Sequence, residues 1–425
     1  MHYDIVVVGG GAGGLELAAQ LGRKLGKDGR ERVLLVDSMP FHIWKPTLHE
    51  VAAGTLDAHQ EGLSYTVLAR RNGFSFVMGK FTSLDAGAKT ITLAALHNKA
   101  GEEVVPQRIV SYQKLVLAVG SGSNSFGTPG IENAYLLESV RDAQRFHEDW
   151  LNACAHASYA EPRSLSVAIV GAGATGVELS AELLEAHNMF LQSLSSSQRF
   201  RLDIALVEGG ERILGGLPPR ISEQAATALE RKGVRVLTST RVQALEKGKV
   251  ITPGGELPAD MIVWAAGIKA ADANTQLGLE VNRINQFVVD DHLRTSAANI
   301  YAMGDCAATP WVDGKTVPAR AQAAHQQGTY LAKVLHAYLR QGSYDGVFQY
   351  QDFGSLVSLG DNKGVGNLMG GLSGKNFFVQ GLLAKWMYMS LHLMHHRAIL
   401  GVGKTAVLAL ARLLQQRVSG RMKLH

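Results

Sequence analysis

The sequence predicts an α/β fold that contains two doubly wound parallel sheets and a helical C-terminal region. Three observations predict this arrangement. A strand, a glycine-rich turn, a helix and a second strand that ends in an acidic residue occur twice, over residues 3–37 and 165–208. Short apolar runs that end in small residues recur along the chain outside these two units. No acidic residue follows Asp361, whereas the basic tail (residues 362–425) carries nine Lys and Arg side chains.

The composition of the chain limits the classes of protein to which it can belong. Its 425 residues, of which 46% are hydrophobic, are enough for two or three packed domains. The two cysteines, Cys154 and Cys306, lie far apart, which argues against a disulfide framework and against a redox-active dithiol. Met1–Asp4 leads directly into an apolar strand, so no secretion signal is expected. The net charge is +5, so a tail of +9 leaves −4 for residues 1–361, and such a tail is attracted to anionic surfaces.

The first unit has the pattern of a dinucleotide-binding βαβ motif. Its first glycine turn (residues 9–14, GGGAGG) follows the apolar run Ile5–Val8 directly. Glycines there allow a tight turn and a close approach of the backbone to a pyrophosphate, while the helix N-terminus supplies N–H groups. An acid at the end of the next strand can accept hydrogen bonds from ribose hydroxyls. The predicted contacts to this dinucleotide are Gly9, Gly11, Ala12, Gly13, Gly14 and Asp37.

The second unit repeats the pattern and indicates a second dinucleotide. Its second glycine turn (residues 171–176, GAGATG) follows Val167–Val170, and Glu208 closes the next strand. A glutamate at that point accepts from the 2′-hydroxyl of NAD and repels the 2′-phosphate of NADP, so NADH is favoured. Arg212 either softens this preference or forms a solvated ion pair. The predicted contacts to NADH from this unit are Gly171, Gly173, Ala174, Thr175, Gly176 and Glu208.

Further strand signals surround the two units. Lys114–Gly120, Met261–Gly267 and Ile300–Asp305 each end in small residues. The second of these strands adds Ala266 and Gly267 to the predicted NADH site. Two dinucleotides in one chain suggest ligands that react with each other, such as a flavin and a nicotinamide, and Gly304-Asp305 can place a carboxylate on a flavin's ribityl hydroxyl. The alternative for Asp305 is an ordinary acid in a turn. Residues 74–81 and 89–93 are predicted to form antiparallel strands that cover a sheet face.

This order of elements predicts one domain inserted within another. We expect an FAD-binding domain from residues 1–127 and 284–345, and an NADH-binding domain from residues 128–283. Residues 346–425 are expected to form a C-terminal region that associates with a membrane.

Several segments carry a resemblance to a known family. The chain resembles the two-dinucleotide-binding flavoproteins, with their Rossmann-like, glutathione-reductase-like domains. It is more closely similar to the single-subunit, non-pumping type II NADH:quinone oxidoreductases of bacterial membranes. The segments that carry the resemblance are Trp44–Ala52 (WKPTLHEVA), Gly171–Leu183 (GAGATGVELSAEL), Val263–Ala270 (VWAAGIKA), Tyr301–Ala307 (YAMGDCA) and Ala319–Gln327 (ARAQAAHQQ).

The resemblance implies an activity and roles for particular residues. It implies non-covalent FAD that takes a hydride from the substrate NADH, followed by two-electron reduction of a quinone, either ubiquinone or menaquinone. Glu178 matches a glutamate near the reacting rings that is implicated in proton supply, while Gln322 and His325 match the quinone pocket beside the flavin. Lys45 and Gln322 are also expected to contact FAD, and Glu178 is also expected to contact NADH. Glu178 could instead favour the helix dipole, and His325 could be an ordinary helix histidine.

The basic tail predicts contact with a membrane surface. Helical spacing over Lys404–Val418 separates polar residues from aliphatic ones, which is typical of a helix lying on a bilayer. Uncharged apolar stretches are much shorter than the roughly 20 residues that cross a bilayer. We therefore expect a peripheral, monotopic protein on the cytoplasmic face of the inner (cell) membrane, in contact with anionic lipids. Nucleic acid is disfavoured because the basic residues alternate with aliphatic ones. Lys385 is assigned either to the quinone or to lipid headgroups.

Two features of the tail have alternative interpretations. The cluster Trp386–Met389 suits a membrane interface, but it could also pack on the flavin domain or on a second copy, which leaves dimerisation open. His392, His395 and His396 could bind a metal, since positions 392 and 396 share a helix face. Because no cysteine or carboxylate is near them in the sequence, no metal is expected.

Two rival functions remain to be weighed. Disulfide reductases and sulfide:quinone reductases of the same fold need paired reactive cysteines, which Cys154 and Cys306 do not provide. A flavoprotein that binds NADH as a sensor and turns over slowly is the rival from another class. The segment Ala321–Gln327 and the basic tail argue against it. The sequence does not distinguish between the two quinones.

Overall fold

The structure is a computed structural model that describes residues 1–161, 163–360, 364–369, 376–380 and 382–418. It has the predicted α/β architecture, with helices packed on parallel sheets. The α-helices are α1 (Ala12–Leu25), α2 (Gly29–Arg32), α3 (Leu48–Ala53), α4 (Ala58–Glu61), α5 (Tyr65–Asn72), α6 (Val140–Tyr159), α7 (Ala174–Gln192), α8 (Pro219–Arg231), α9 (Ala321–Leu339), α10 (Leu382–Leu400) and α11 (Val402–Val418).

The first sheet combines strands from residues 2–117 with one later strand, from residues 300–302. Its parallel part has the strand order Ser75–Met78, Val33–Asp37, His2–Val8, Arg108–Leu117 and Ile300–Ala302. The strand His2–Val8 is central, and Ile5, Val6 and Val7 are fully buried because both faces of a parallel sheet are covered. The first predicted βαβ unit is therefore confirmed.

One predicted strand direction is wrong. Residues 74–81 were expected to lie antiparallel, yet Ser75–Met78 pairs in parallel with Val33–Asp37 at the sheet edge. The intervening chain, which includes α5, carries the backbone back across the sheet, as a parallel pair requires. Thr90–Leu93 is antiparallel as predicted, and it pairs with Phe81–Asp85 and Arg108–Leu117.

The second sheet lies between Arg108–Leu117 and Ile300–Ala302 in the chain and is built separately. All five of its strands are parallel, in the order Tyr135–Leu136, Met261–Trp264, Ser164–Val170, Arg201–Val207 and Arg235–Leu237. This confirms the second predicted βαβ unit. A capping box, in which Ser139 and Asp142 exchange hydrogen bonds, starts α6, whose buried face includes Phe146 and Trp150.

Smaller sheets complete the described chain. Antiparallel strands join Ala244–Glu246, Lys249–Thr252 and Gly255–Pro258, and a second set joins Gly354–Ser358, Gly364–Met369 and Asn376–Gln380. The two-stranded sheets pair Phe41–His42 with Leu63–Ser64, Leu96–His97 with Glu103–Val105, Gly122–Ser123 with Ile268–Lys269, and Phe287–Val288 with Ala307–Ala308.

The basic tail forms two helices, and α10 packs on the first half of the molecule. The Arg23 guanidinium of α1 donates to the carbonyl oxygen of Ala398 at 2.7 Å. In α11 the side chains of Val407, Leu410 and Leu414 are each more than half exposed, so an apolar stripe faces outward. Among the described residues, no helix is long and apolar enough to cross a membrane. The side chains of Lys385 and Trp386–Met389 lie outside the part that the structure describes.

Candidate functional site

The first glycine turn has the shape of a pyrophosphate cradle. Gly9 has a positive φ of 106°, and a Cβ there would lie 2.2 Å from the Ala118 carbonyl oxygen. A Cβ on Gly14 would lie 2.0 Å from the Gly9 carbonyl oxygen, so glycine is needed for α1 to approach the strand. At Gly11 a Cβ would meet nothing within 4 Å, and this residue begins α1 without a side-chain cap. The uncapped N–H groups are available to an anion.

The second glycine turn repeats this geometry. Gly171 has a φ of 101° and packs against Ala266, whose backbone nitrogen would be 2.6 Å from an added Cβ. A Cβ on Gly176 would lie 2.0 Å from the Gly171 carbonyl oxygen. Gly173 has open space around it and begins α7 without a side-chain cap. Ala174 and Thr175 are exposed in the first turn of the helix, on the path of a ligand.

The two predicted ribose-binding acids also occupy matching positions. Asp37 accepts from Gly10 N at 2.6 Å and from Met39 N at 2.8 Å. Glu208 accepts from Ala172 N and Gly210 N, both at 2.8 Å. Each carboxylate therefore holds its own glycine turn through backbone N–H groups. The Arg212 guanidinium donates to the carbonyl oxygens of Leu217 and Gly215 in its own loop.

Three residues from distant parts of the chain meet beside the first glycine turn. Lys45 donates to the carbonyl oxygen of Ser121 at 2.6 Å, and the Ser121 hydroxyl donates to Asp305 Oδ2 at 3.2 Å. Gly304, with a φ of 72°, donates its N–H to Gln327 Oε1 at 2.7 Å, so α9 holds this loop. The predicted flavin contacts Lys45, Gly304 and Asp305 are thus brought together, and Ser121 and Gln327 are the residues that connect them to the surrounding protein.

Residues at the end of Met261–Trp264 close the second site. The N–H of Ala265 donates to the Val170 carbonyl oxygen at 2.7 Å, which places Ala266 and Gly267 beside the second glycine turn. Gly267 has a φ of 63°, and a Cβ there would lie 2.5 Å from the Phe126 ring. Glycine is therefore required for this turn to pass Phe126.

Glu178 lies buried where three parts of the chain meet. It belongs to α7, it accepts from Ser358 N at 3.1 Å, and its Oε2 lies 3.6 Å from His49 Nδ1 on α3. Burial raises the pKa of Glu178 well above 4.5, and the charges of Glu50 and Glu182 add to the increase. Burial also lowers the pKa of His49 to about 4. A neutral Glu178 with a proton to donate is the state that these surroundings favour.

Gln322 is held at the start of α9 by residues that the sequence did not suggest. Its Oε1 accepts from the Tyr350 hydroxyl at 2.7 Å and from Phe353 N at 3.4 Å. Burial raises the pKa of Tyr350 to about 12, so its hydroxyl keeps its proton. The orientation of the Gln322 amide is therefore fixed, with its N–H groups directed away from Tyr350.

His325 is bound to a buried carboxylate. Its Nδ1 is hydrogen-bonded to Glu16 of α1, a residue that is only 1% exposed. The other oxygen of Glu16 is 2.7 Å from His395 Nδ1 on α10, and His395 Nε2 is 2.8 Å from His42 Nε2. His42 Nδ1 in turn lies 2.9 Å from the Gly10 carbonyl oxygen. This Glu16 network (His325, Glu16, His395 and His42) joins helix α9 and the tail to the first glycine turn.

The hydrogen-bond directions in the Glu16 network can be assigned. The Gly10 carbonyl only accepts, so His42 carries its proton on Nδ1. Burial lowers the pKa of His42 well below 6.5, so its Nε2 is a bare acceptor and His395 Nε2 must donate. Hydrogen bonds from His325 and His395 outweigh the opposing effect of burial and lower the pKa of Glu16. His395 therefore directs its Nδ1 at the Glu16 carboxylate and its Nε2 at His42.

The remaining tail histidines have a carboxylate neighbour from a distant part of the chain. Glu61, at the end of α4, lies beside His392 and His396, and one ligand atom from each of the three lies within 4.8 Å of the other two. The sequence did not suggest this neighbour because Glu61 is more than 300 residues away in the chain. His395 is not part of this group because it is engaged with Glu16.

The sequence is similar to known proteins over almost its whole length. The model of the pyridine nucleotide-disulphide oxidoreductase family matches residues 3–328. A type II NADH:quinone oxidoreductase of Haemophilus influenzae is 38% identical over 449 residues, which cover 99% of this chain and all of the relative. The chain belongs to the type II NADH:quinone oxidoreductase family. A member from Staphylococcus aureus is 29% identical over 86% of this chain and 90% of its own.

The fold of a solved structure is similar over the whole chain. The structure of NDH2 from Plasmodium falciparum in complex with NADH has a TM-score of 0.82, with 99% of both chains covered, at 18% sequence identity. This similarity extends to the length of the tail, which the family model of residues 3–328 does not reach. The match to the Haemophilus influenzae relative, which covers 99% of this chain, also includes the tail.

Proposed function

We propose that this protein oxidises NADH and reduces a membrane quinone, ubiquinone or menaquinone, through one non-covalently bound FAD and without pumping protons. The observation that carries the proposal is the pair of glycine turns with the same geometry in one chain, with the buried Glu178 on the helix that follows the second turn. Bound FAD would supply the redox chemistry, accepting a hydride from NADH and releasing two electrons to the quinone.

The residues divide between the two ligands as their positions suggest. Residues 1–127 and 284–345 would hold FAD, through the first glycine turn, Asp37, Lys45 and the loop at Gly304-Asp305. Residues 128–283 would hold NADH through the second glycine turn, Glu208, Ala266 and Gly267. Glu208 supports NADH over NADPH because it carries a negative charge where the 2′-phosphate would lie. The guanidinium of Arg212 is occupied by its own loop, which agrees with this preference.

Glu178, Gln322 and His325 are proposed to serve the quinone. Reduction of a quinone consumes two protons, and a buried carboxyl with a raised pKa is a suitable donor. The Glu16 carboxylate raises the pKa of His325 by accepting a hydrogen bond from it, so His325 can also carry a proton near neutral pH. The Gln322 amide, fixed by Tyr350, can donate a hydrogen bond to a quinone carbonyl.

The tail is proposed to bind the cytoplasmic face of the cell membrane. Its net charge of +9 suits anionic lipids, and the outward stripe of Val407, Leu410 and Leu414 suits the boundary of the acyl chains. The protein would then meet a quinone that stays within the bilayer. Sedimentation in detergent measures whether the protein forms a homodimer.

Anaerobic stopped-flow absorbance at the flavin band tests the proposal. Mixing lipid-supplemented enzyme with NADH should bleach the band, and a soluble ubiquinone or menaquinone analogue should restore it. In Glu178→Gln, recovery with quinone should slow by about 100-fold while bleaching by NADH stays near the wild-type rate. Glu223→Gln makes the same change at an exposed position of α8 and is the control. Bleaching without recovery with any quinone would favour the sensor function, and acidification of sealed vesicles beyond scalar chemistry would contradict non-pumping turnover.

A further inference from the structure

Side chains from α10 in the tail and from α4, in the part proposed to bind FAD, form a group that has no role in the proposed reaction. Glu61 ends α4, whereas His392 and His396 lie one turn apart on the same face of α10. The two imidazole rings are stacked, with centroids 4.3 Å apart and planes 16° apart. The Trp44 ring packs edge-on against His392 at 4.9 Å and forms an apolar wall.

One nitrogen in this group is buried without a hydrogen-bond partner. His392 is 8% exposed, and among the described residues its Nε2 has no hydrogen-bond partner. Because a buried polar atom without a partner is unfavourable, this nitrogen favours the binding of an additional group. A cation that accepts the nitrogen lone pair would satisfy it.

The second histidine is already held in the state that a metal ligand needs. His396 Nδ1 lies 2.9 Å from the His392 carbonyl oxygen, which only accepts, so the ring proton is on Nδ1. The lone pair of the ring is therefore on Nε2. A backbone carbonyl that accepts from the other ring nitrogen is the usual support of a metal-binding histidine, because it fixes both tautomer and orientation.

We propose that Glu61, His392 and His396 form a binding site for a divalent transition-metal cation of the Zn²⁺ class. Two imidazole nitrogens and one carboxylate oxygen suit such an ion and leave a fourth position for water. Ligands about 2.1 Å from one ion lie roughly 3.4 Å apart, and the three ligand atoms here lie within 4.8 Å of one another. The ion ties the basic tail to the FAD half, and it stabilises the folded protein because the ligands come together only there.

Zinc titration of the flavin-loaded, chelator-treated enzyme tests the site, with a chromophoric chelator as competitor. The wild type should bind one equivalent, and His392→Ala, His396→Ala and Glu61→Gln should each weaken binding by about 100-fold or more. His97→Ala removes an exposed histidine and should leave the affinity unchanged. The ratio of flavin to protein verifies that each variant is folded. An affinity that is the same in His392→Ala and in His97→Ala overturns the proposal.

Two measurements on the unmodified chain complement the variants. Added Co²⁺ should produce d–d absorption bands at longer wavelengths than the flavin band, since four-coordinate tetrahedral sites give intense bands of this kind. One equivalent of Zn²⁺ should also raise the thermal unfolding midpoint of the wild type and of His97→Ala, but not of His392→Ala. If neither bands nor a shift appear, there is no such site.

Discussion

Replacement of Glu16 by glutamine tests how far the Glu16 network holds the molecule together. Glu16 is 1% exposed on α1 and is hydrogen-bonded to His325 of α9 and His395 of α10. Glutamine keeps the shape but removes the charge. It also directs an amide NH₂ group at one of the two histidine N–H groups, so one of the helices loses its hydrogen bond.

The expected loss of stability follows from the burial of the two partners. Hydrogen bonds to charged groups contribute about 1.5 to 3 kcal/mol each. The His395 side chain is 4% exposed and belongs at the upper end, whereas the His325 side chain is 38% exposed and belongs at the lower end. The neutral hydrogen bond that Gln retains offsets about 1 kcal/mol, which leaves roughly 3.5 kcal/mol. At roughly 2 to 4 °C for each kcal/mol, the unfolding midpoint should fall by about 7 to 14 °C.

The difference between wild type and Glu16→Gln should depend on pH. The pKa of Glu16 is lowered, so its contribution is present above its unfolded value of 4.5 and is lost as the pH falls through the folded value. The pKa of His325 is raised, so its contribution is present below 6.5 and is lost as the pH rises through the folded value. The difference is therefore largest between these two values of 4.5 and 6.5 and decreases on both sides.

Thermal unfolding of the holoenzyme, followed by circular dichroism and flavin fluorescence, measures this difference. It should be recorded at one pH inside the window and at one well above it. Glu31→Gln makes the same change at an exposed position of α2 and serves as the control. If Glu16→Gln and Glu31→Gln have the same unfolding midpoint at both pH values, the Glu16 network contributes no net stability and the reasoning is wrong.

Three further predictions concern the ligand sites and the tail. Gly176→Ala places a Cβ 2.0 Å from a carbonyl oxygen and should raise KM for NADH about tenfold or more, measured by steady-state kinetics, with FAD content unchanged. The Cβ of the control Gly216→Ala meets no atom within 4 Å, so this variant should keep the wild-type KM. Glu208→Gln should lower kcat/KM for NADH about tenfold and raise it for NADPH; an unchanged NADH to NADPH ratio would contradict its assigned role. Leu410→Asp, in the exposed stripe of α11, should weaken co-sedimentation with anionic vesicles by about tenfold, and retention of wild-type binding would exclude this face from membrane contact.

The sequence predicted those parts of the site that depend on local order. The glycine turns with Asp37 and Glu208 were found because a strand, a turn and a helix follow each other within about 35 residues, and each element has its own periodicity. The direction of Ser75–Met78 was missed because it depends on how the chain crosses the sheet, which periodicity does not report.

The contacts between distant segments could not be predicted. His49 beside Glu178, Tyr350 on Gln322 and Glu61 beside His392 each join residues that are separated by intervals with no repeating pattern. Glu16 was overlooked for another reason. It stands in a helix one turn after a glycine motif, where a glutamate normally faces solvent, and only the packing of α9 and α10 over α1 buries it.

The correspondence between the two glycine turns bears on how each half selects its ligand. In both turns a Cβ on the last glycine would lie 2.0 Å from the carbonyl oxygen of the first, and in both an acid at the next strand end fastens the second residue through its N–H. Because the two turns have the same geometry, they cannot by themselves distinguish a flavin nucleotide from a nicotinamide nucleotide. Residence time must be set by what encloses each cradle. Tyr65 and His42 both hydrogen-bond to the Gly10 carbonyl of the first turn, whereas Ala174 and Thr175 of the second turn are exposed.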